Sequence, residues 1–202
     1  VDENKIFNHS ARFLYGMCKC LDGVSGEGTY PRVSMKVLKD YGVASEDVLP
    51  NDATVDHETY VLFRNIENFK TFFNDALKYK IESYANVDIT TIDGIKQGII
   101  SGSGMSTLVR VGSEWYSDAS GNTWDPSRIL PIKPPVNIIS GHQIYVYGYE
   151  NAVNNSGVSD TKIHFLNSWS DQWADGGKGW FWWSEYNYFI IEAYTDVDVP
   201  QD

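Results

Sequence analysis

Cysteine is nearly missing from this chain. Only Cys18 and Cys20 occur among 202 residues. They stand too close along the chain for an ordinary unstrained disulfide, and two ligands are too few for a zinc site. Basic charge is scarce too. Sixteen Lys and Arg face 27 Asp and Glu, giving a formal net charge of −11, and no basic cluster offsets it. An acidic surface repels phosphate backbones, so nucleic acid is not expected as a partner. No apolar run approaches about 18 residues, so no membrane span is expected either. The opening VDENKIFNHS lacks the basic-then-apolar pattern of a signal peptide. It also lacks an initiator Met, so translation is expected to start upstream of Val1. Internal repeats and low-complexity segments are absent as well.

What the chain does have is apolar and aromatic content. Hydrophobic residues make up 42% and aromatics 14%, enough for a sizeable core. Ser10 reads as an N-cap, with Leu14, Met17, Cys18 and Leu21 at helical spacing and Gly23 as the stop. After a glycine-rich loop, Thr29 reads as a second N-cap with Pro31 just inside the helix. Val33, Val37, Leu38 and Tyr41 line that helix, and Gly42 stands where a C-terminal cap belongs. A third helical stretch runs from about His57 to Tyr79, with Tyr60, Phe63, Phe72 and Leu77 among its apolar residues.

From about Ile81 the chain turns rich in Tyr, Val, Ile, Thr and Trp, with Gly, Asn, Ser and Pro punctuation, as strands and turns require. A short helix near Ile92 to Ile100 interrupts it, and Pro126 to Pro135 reads as an extended loop. A helical half followed by a β half predicts an α+β fold, as one domain or two lobes. Asn8-His9-Ser10 and Asn154-Asn155-Ser156 match the glycosylation sequon, a triplet common by chance.

The informative stretch is Ser140-Gly-His-Gln-Ile-Tyr-Val-Tyr-Gly-Tyr149, followed by Lys162-Ile-His-Phe-Leu-Asn-Ser-Trp169. Both pieces alternate as strands do, and the polar residues Glu150 to Thr161 between them suggest a long-looped antiparallel hairpin. If Tyr149 faces Thr161, His142 lies opposite Ser168, one residue from Asn167. The hairpin alone would then bring an imidazole beside a carboxamide. That pairing suits a thiol nucleophile, which needs a base to hold it as thiolate and a third group to orient the base. Trp169 could shield the resulting hydrogen bond from water.

Ser140-Gly141-His142, with its strand ending Gly148-Tyr149, resembles the histidine motif of papain-family (C1) cysteine peptidases. Asn167-Ser-Trp-Ser-Asp-Gln-Trp173 through Gly177-Lys-Gly-Trp180 is similar to the family's asparagine block. Upstream, Ser10 to Tyr15, Gly28-Thr29, Val37 to Val43 and Tyr79 to Tyr84 resemble segments of compact, microbial-type members. The resemblance implies a helical left lobe and an antiparallel β-barrel-like right lobe with a cleft between them. Residues 1–80 would form the left-lobe part without its catalytic helix, and 81–202 the right lobe. It also implies His142 and Asn167 as catalytic residues, Trp169 and Gly141 as supporting ones, no metal or cofactor, and a peptide or protein substrate.

The family's Cys-Gly-Ser-Cys-Trp type motif and the glutamine before it do not occur in this sequence. Cys18 precedes His142 by 124 positions (142 − 18), near the expected spacing. It shares a helical face with Leu14 and Leu21, however, and reads as a buried core thiol. Cys20 falls on another face, at the surface or half buried. The nucleophile is therefore expected upstream of Val1 or on a second polypeptide segment. The alternative is an inactive papain-like module that binds or builds an assembly. Ser170 and Ala174, where the family has glycines, favour that alternative. His164 is expected on the face opposite Asn167 with a structural role, and His9 and His57 at solvated helix starts. Trp180, Trp182 and Trp183 read as packing before they read as a carbohydrate platform. Gly102, Gly104 and the loop Trp115–Trp124 are candidates for lining substrate subsites.

Overall fold

A computed structural model describes residues 8–23, 28–51, 63, 66–115, 130–169 and 171–197. The chain divides into two compact units, the first ending at Tyr84 and the second running Ala85–Val197. Among the described residues no helix is long and apolar enough to cross a membrane.

The first unit is helical. Helix α1 (Ala11–Asp22) starts where the Ser10 hydroxyl accepts the Phe13 N–H at 3.0 Å, and stops at Gly23, whose φ is 67°. The cap satisfies an otherwise orphaned donor, and the left-handed glycine ends the helix without a Cβ penalty. The buried stripe of α1 is Phe13, Met17 and Cys18, whereas Leu14 is only half buried and Leu21 is 43% exposed. Helix α2 (Pro31–Asp40) begins without the expected Thr29 cap: Tyr30 is the N-cap residue and makes no side-chain hydrogen bond. Pro31 is in the first turn, where its missing N–H costs nothing. Of the third helix, Ile66–Ala76 is described and labelled α3, and the expected positions His57 and Tyr60 lie outside the described residues.

Gly42 closes α2 with φ 80°, donating to the Val37 carbonyl at 2.9 Å. A Cβ there would meet the Ala76 carbonyl oxygen at 2.0 Å. Backbone cannot yield as a flexible side chain does, so Gly42→Ala should destabilise the chain by roughly 2 kcal/mol or more. A lowered urea midpoint checks this, and an unchanged midpoint would show that the close approach is relieved cheaply.

The second unit is built on one sheet. The sheet's strands are β1 (Ser83–Asn86, of which Ala85 and Asn86 fall in this unit), β2 (Met105–Val111), β3 (Ser140–Val153), β4 (Ser159–Leu166), β5 (Lys178–Trp182) and β6 (Ile190–Val197). They lie in the order β1-β6-β2-β3-β4-β5, an open sheet among the described residues rather than the expected barrel-like closure. Helix α4 (Ile92–Ser101) packs on it. Gly98 of α4 lies so close to Met105 and Val87 that a Cβ would meet them at 2.6 and 2.8 Å. A 3-10 turn, Ser113–Trp115, follows β2, and a short helix α5 (Trp183–Tyr186) follows β5. Strand β2 shows the half-buried alternation plainly, with Met105, Thr107, Val109 and Val111 inward.

The β3–β4 hairpin forms, but not in the expected register. Tyr149 pairs with Ile163, two residues beyond Thr161, and the ladder continues to Val153↔Ser159. The turn is the short Asn154–Val158 segment, closed by Asn154 N–H to the Val158 carbonyl at 2.8 Å, with Gly157 at φ 76°. Polar residues Glu150, Asn151 and Asp160 therefore sit in strands, on exposed or half-exposed positions. A bulge between Val146 and Gly148 shifts the ladder again.

Candidate active site

His142 enters from the beginning of β3, directly across from Val109 of β2. Asn167 lies one residue past the end of β4, where the hairpin ladder no longer holds it. A tight loop holds it instead. Asn167 N–H donates to the Gly177 carbonyl at 2.8 Å, and Gly177 N–H donates to the Trp173 carbonyl at 2.7 Å. Ala174, Gly176 and Gly177 take φ of 47°, 61° and 81°, the conformation that lets the chain turn this sharply. The site has an alanine where the resemblance led to a glycine, and that alanine is left-handed and fully buried. Ser170 lies outside the described residues.

The loop brings the two side chains together: His142 Nε2 and Asn167 Oδ1 are 2.7 Å apart. The orientation of the carboxamide follows from a second bond, because the Ser168 backbone N–H donates to the same Oδ1 at 2.8 Å. A flipped amide would turn its NH2 group toward the Ser168 N–H, a fixed donor. Oδ1 thus accepts from both, Nε2 carries the ring proton, and Nδ1 is left as the basic nitrogen. Among the described residues Nδ1 has no hydrogen-bond partner. Asn167 Nδ2 is buried and likewise unpartnered among them.

Trp169 lies against His142, its ring centroid 4.5 Å from that of the imidazole at an interplanar angle of 38°. Gly141 is exposed beside His142, and a Cβ there would meet Leu108 Cδ1 at 3.3 Å. Burial holds the His142 pKa below the ordinary 6.5, opposed by the hydrogen bond to Asn167. Burial also lowers His164, opposed by Glu150. Both imidazoles therefore bind a proton more weakly in the folded chain than in the unfolded one. The stability this confers is present above pH 6.5 and is lost as the pH falls through the lowered folded values. Urea unfolding should show a midpoint that drops on acidification below 6.5, with a shallower drop in His142→Gln. An equal slope in the variant would contradict the shift.

The remaining sequence candidates have other places. Cys18 is fully buried, and burial pushes its thiol up to about 12. Cys20 is raised as well, again chiefly by desolvation. His164 of β4 reaches Glu150 at 3.8 Å, and exposed His9 stands edge-on to Tyr79 at 5.2 Å. Trp182 is 3% exposed, Trp180 packs edge-on against it at 5.2 Å, and Lys162 lies over both rings. Close packing accounts for Gly102 and Gly104, whose Cβ atoms would meet Thr195 Oγ1 at 2.3 Å and the Tyr145 ring at 2.7 Å. Trp115 does not line an open surface as expected; it is fully buried, 6.1 Å edge-on from His142. Trp124 lies outside the described residues. Tyr186 went unassigned in sequence, where no local pattern links it or Trp115 to position 142.

No protein-family model matches this chain, and no curated protein matches it in sequence. Solved structures do match it. Xylellain, a cysteine protease from Xylella fastidiosa, aligns at TM-score 0.71 and 20% identity, over 97% of this chain and 72% of its own. The bromelain protease from Ananas comosus, solved with the E64 inhibitor, aligns at TM-score 0.65 and 14% identity, over 98% and 81%. Procathepsin L 3 of the Tenebrio molitor larval midgut aligns at TM-score 0.65 and 15% identity. This chain spans 56% of that proenzyme's length. The fold is papain-like. The helical unit followed by the antiparallel sheet is thus a papain-like α+β arrangement, and the sheet carries His142, with Asn167 one residue past β4.

Proposed function

We propose that this chain is the base-bearing part of a papain-like cysteine peptidase, hydrolysing peptide bonds with a thiol supplied upstream of Val1 or on a second segment. The observation that carries the reading is the 2.7 Å His142–Asn167 bond, which leaves Nδ1 as the basic ring nitrogen. Nδ1 takes the thiol proton, and the thiolate attacks the substrate carbonyl. The imidazolium then returns its proton to the departing amine, leaving a thioester. Nδ1 next removes a proton from water, which attacks the thioester and regenerates the thiol. Asn167 keeps the proton on Nε2 throughout, so the ring neither flips nor loses its tautomer. Trp169 limits water access to that bond, and Gly141 leaves the backbone beside the base open to substrate.

The second reading, an inactive papain-like module, draws on the chain's own thiols, since Cys18 at about 12 is no thiolate and Cys20 is also raised. Brief iodoacetamide treatment of the native protein at slightly acidic pH, followed by peptide mapping, separates the two. Rapid labelling of a cysteine outside 1–202, lost in His142→Ala, is the peptidase result. Labelling of Cys18 or Cys20 alone, and only after unfolding, would leave the inactive module standing.

A further inference from the structure

We infer that Trp115, anchored by the buried hydroxyl of Tyr186, is a positioning residue that fixes the His142 imidazole and the Trp169 indole in register; its catalytic meaning rests on the peptidase reading. One hydrogen bond does not define a ring. The bond to Asn167 pins Nε2 but leaves rotation about the Oδ1···Nε2 direction free. Trp169 limits that rotation from one side at 4.5 Å. Trp115 adds a second limit beside Trp169, standing edge-on to His142 at 6.1 Å and 72° and to Trp169 at 6.1 Å and 76°. The three rings thus meet pairwise, and Trp115 is the member that is 0% exposed.

Trp115 is itself immobilised in directional ways. Its ring stacks on Phe165 at 5.4 Å and on Trp173 at 5.7 Å. Its indole N–H donates to Tyr186 Oη at 2.9 Å, and that hydroxyl donates to the Arg110 carbonyl at 2.6 Å. Trp173 Nε1 donates to the Trp115 carbonyl at 3.0 Å, so the loop that carries Asn167 is tied to the same residue. The neighbouring Glu114 accepts the Val136 N–H at 3.1 Å, in the segment that leads into β3. A single 3-10 turn therefore touches the base, its cover, and both chain segments that deliver the His–Asn pair. Burial pushes the Tyr186 phenol well above its ordinary value, so the anchor stays protonated across the working pH range.

Tyr186→Phe tests this, because it leaves the Trp115 N–H and the Arg110 carbonyl without their partner. The readout is the NMR titration of His142 in the whole protein, assigned by comparison with His142→Gln. The expected result is displaced His142 ring resonances and a titration moved up toward the free imidazole value. In the thiol-bearing protein kcat should fall by up to about a hundred-fold with KM retained, the effect of misplacement near 1 Å. Trp115→Phe, which keeps a ring and removes the N–H, should displace the same resonances less; it replaces the first variant if that one fails to fold. Lower stability with unmoved His142 resonances and titration would overturn the assignment. Absence of peptide hydrolysis by the wild-type protein would overturn the peptidase reading instead, and the resonances would still decide the positioning claim.

Discussion

His142→Ala, in the protein that holds the thiol, lowers kcat/KM for a peptide substrate by roughly 10⁴-fold. That is the upper range for a positioned general acid–base, and two steps of the proposed cycle use this one nitrogen. The loss should fall on kcat, since the imidazole moves protons and contributes little to substrate affinity. Folding should survive, because His142 is half buried at a strand start and Asn167 Oδ1 keeps its bond from the Ser168 N–H. Asn167→Ala should cost less, of order 10²-fold, because the base remains and only its orientation is lost. Steady-state kinetics with circular dichroism of each variant checks both. Near-wild-type turnover in His142→Ala would sink the mechanism.

Trp115→Ala should be among the most destabilising substitutions in the chain, at about 3–5 kcal/mol. The ring is 0% exposed and stacked on two other buried aromatics, so its removal opens a cavity in the centre of the sheet unit's core. It also withdraws the donor that Tyr186 Oη accepts. Against a typical total of about 5–15 kcal/mol, such a loss leaves a measurable unfolded fraction at physiological temperature. Denaturant unfolding gives the number. A loss under about 1 kcal/mol would mean that the cavity collapses, contrary to the close packing expected of a protein interior.

The parts of the fold that local chemistry determines were legible in the sequence. Ser10 and Gly23 bracket α1 because a hydroxyl cap and a left-handed glycine are short-range devices. The β-rich half was legible from composition, and the His–Asn pairing from a resemblance. The hairpin register was not. Polarity suggested that Glu150 to Thr161 would loop out, yet exposed strand positions tolerate polar side chains and the ladder runs on to Val153. The route to the pair was therefore misjudged: the bonds of the Trp173–Gly177 loop deliver Asn167, where strand alternation had been expected to do so. Trp115 was misplaced for a related reason. Its partners Tyr186 and Trp173 lie 71 and 58 residues away, a separation that no periodicity encodes.

The far end of the hairpin is consequently a free handle. His142 is near the origin of β3 and Asn167 past the end of β4, whereas the Asn154–Val158 turn closes the other extremity, with Val153 and Val158 65% and 58% exposed. Eight paired positions, Tyr145↔Leu166 through Val153↔Ser159, separate that tip from the paired side chains. Extra residues grafted between Asn155 and Gly157 would lengthen a surface loop without entering the ladder or the Trp173–Gly177 loop. The loop-closure penalty of such a graft grows only logarithmically with its length. A fluorophore, affinity tag or whole reporter domain can accordingly be mounted there.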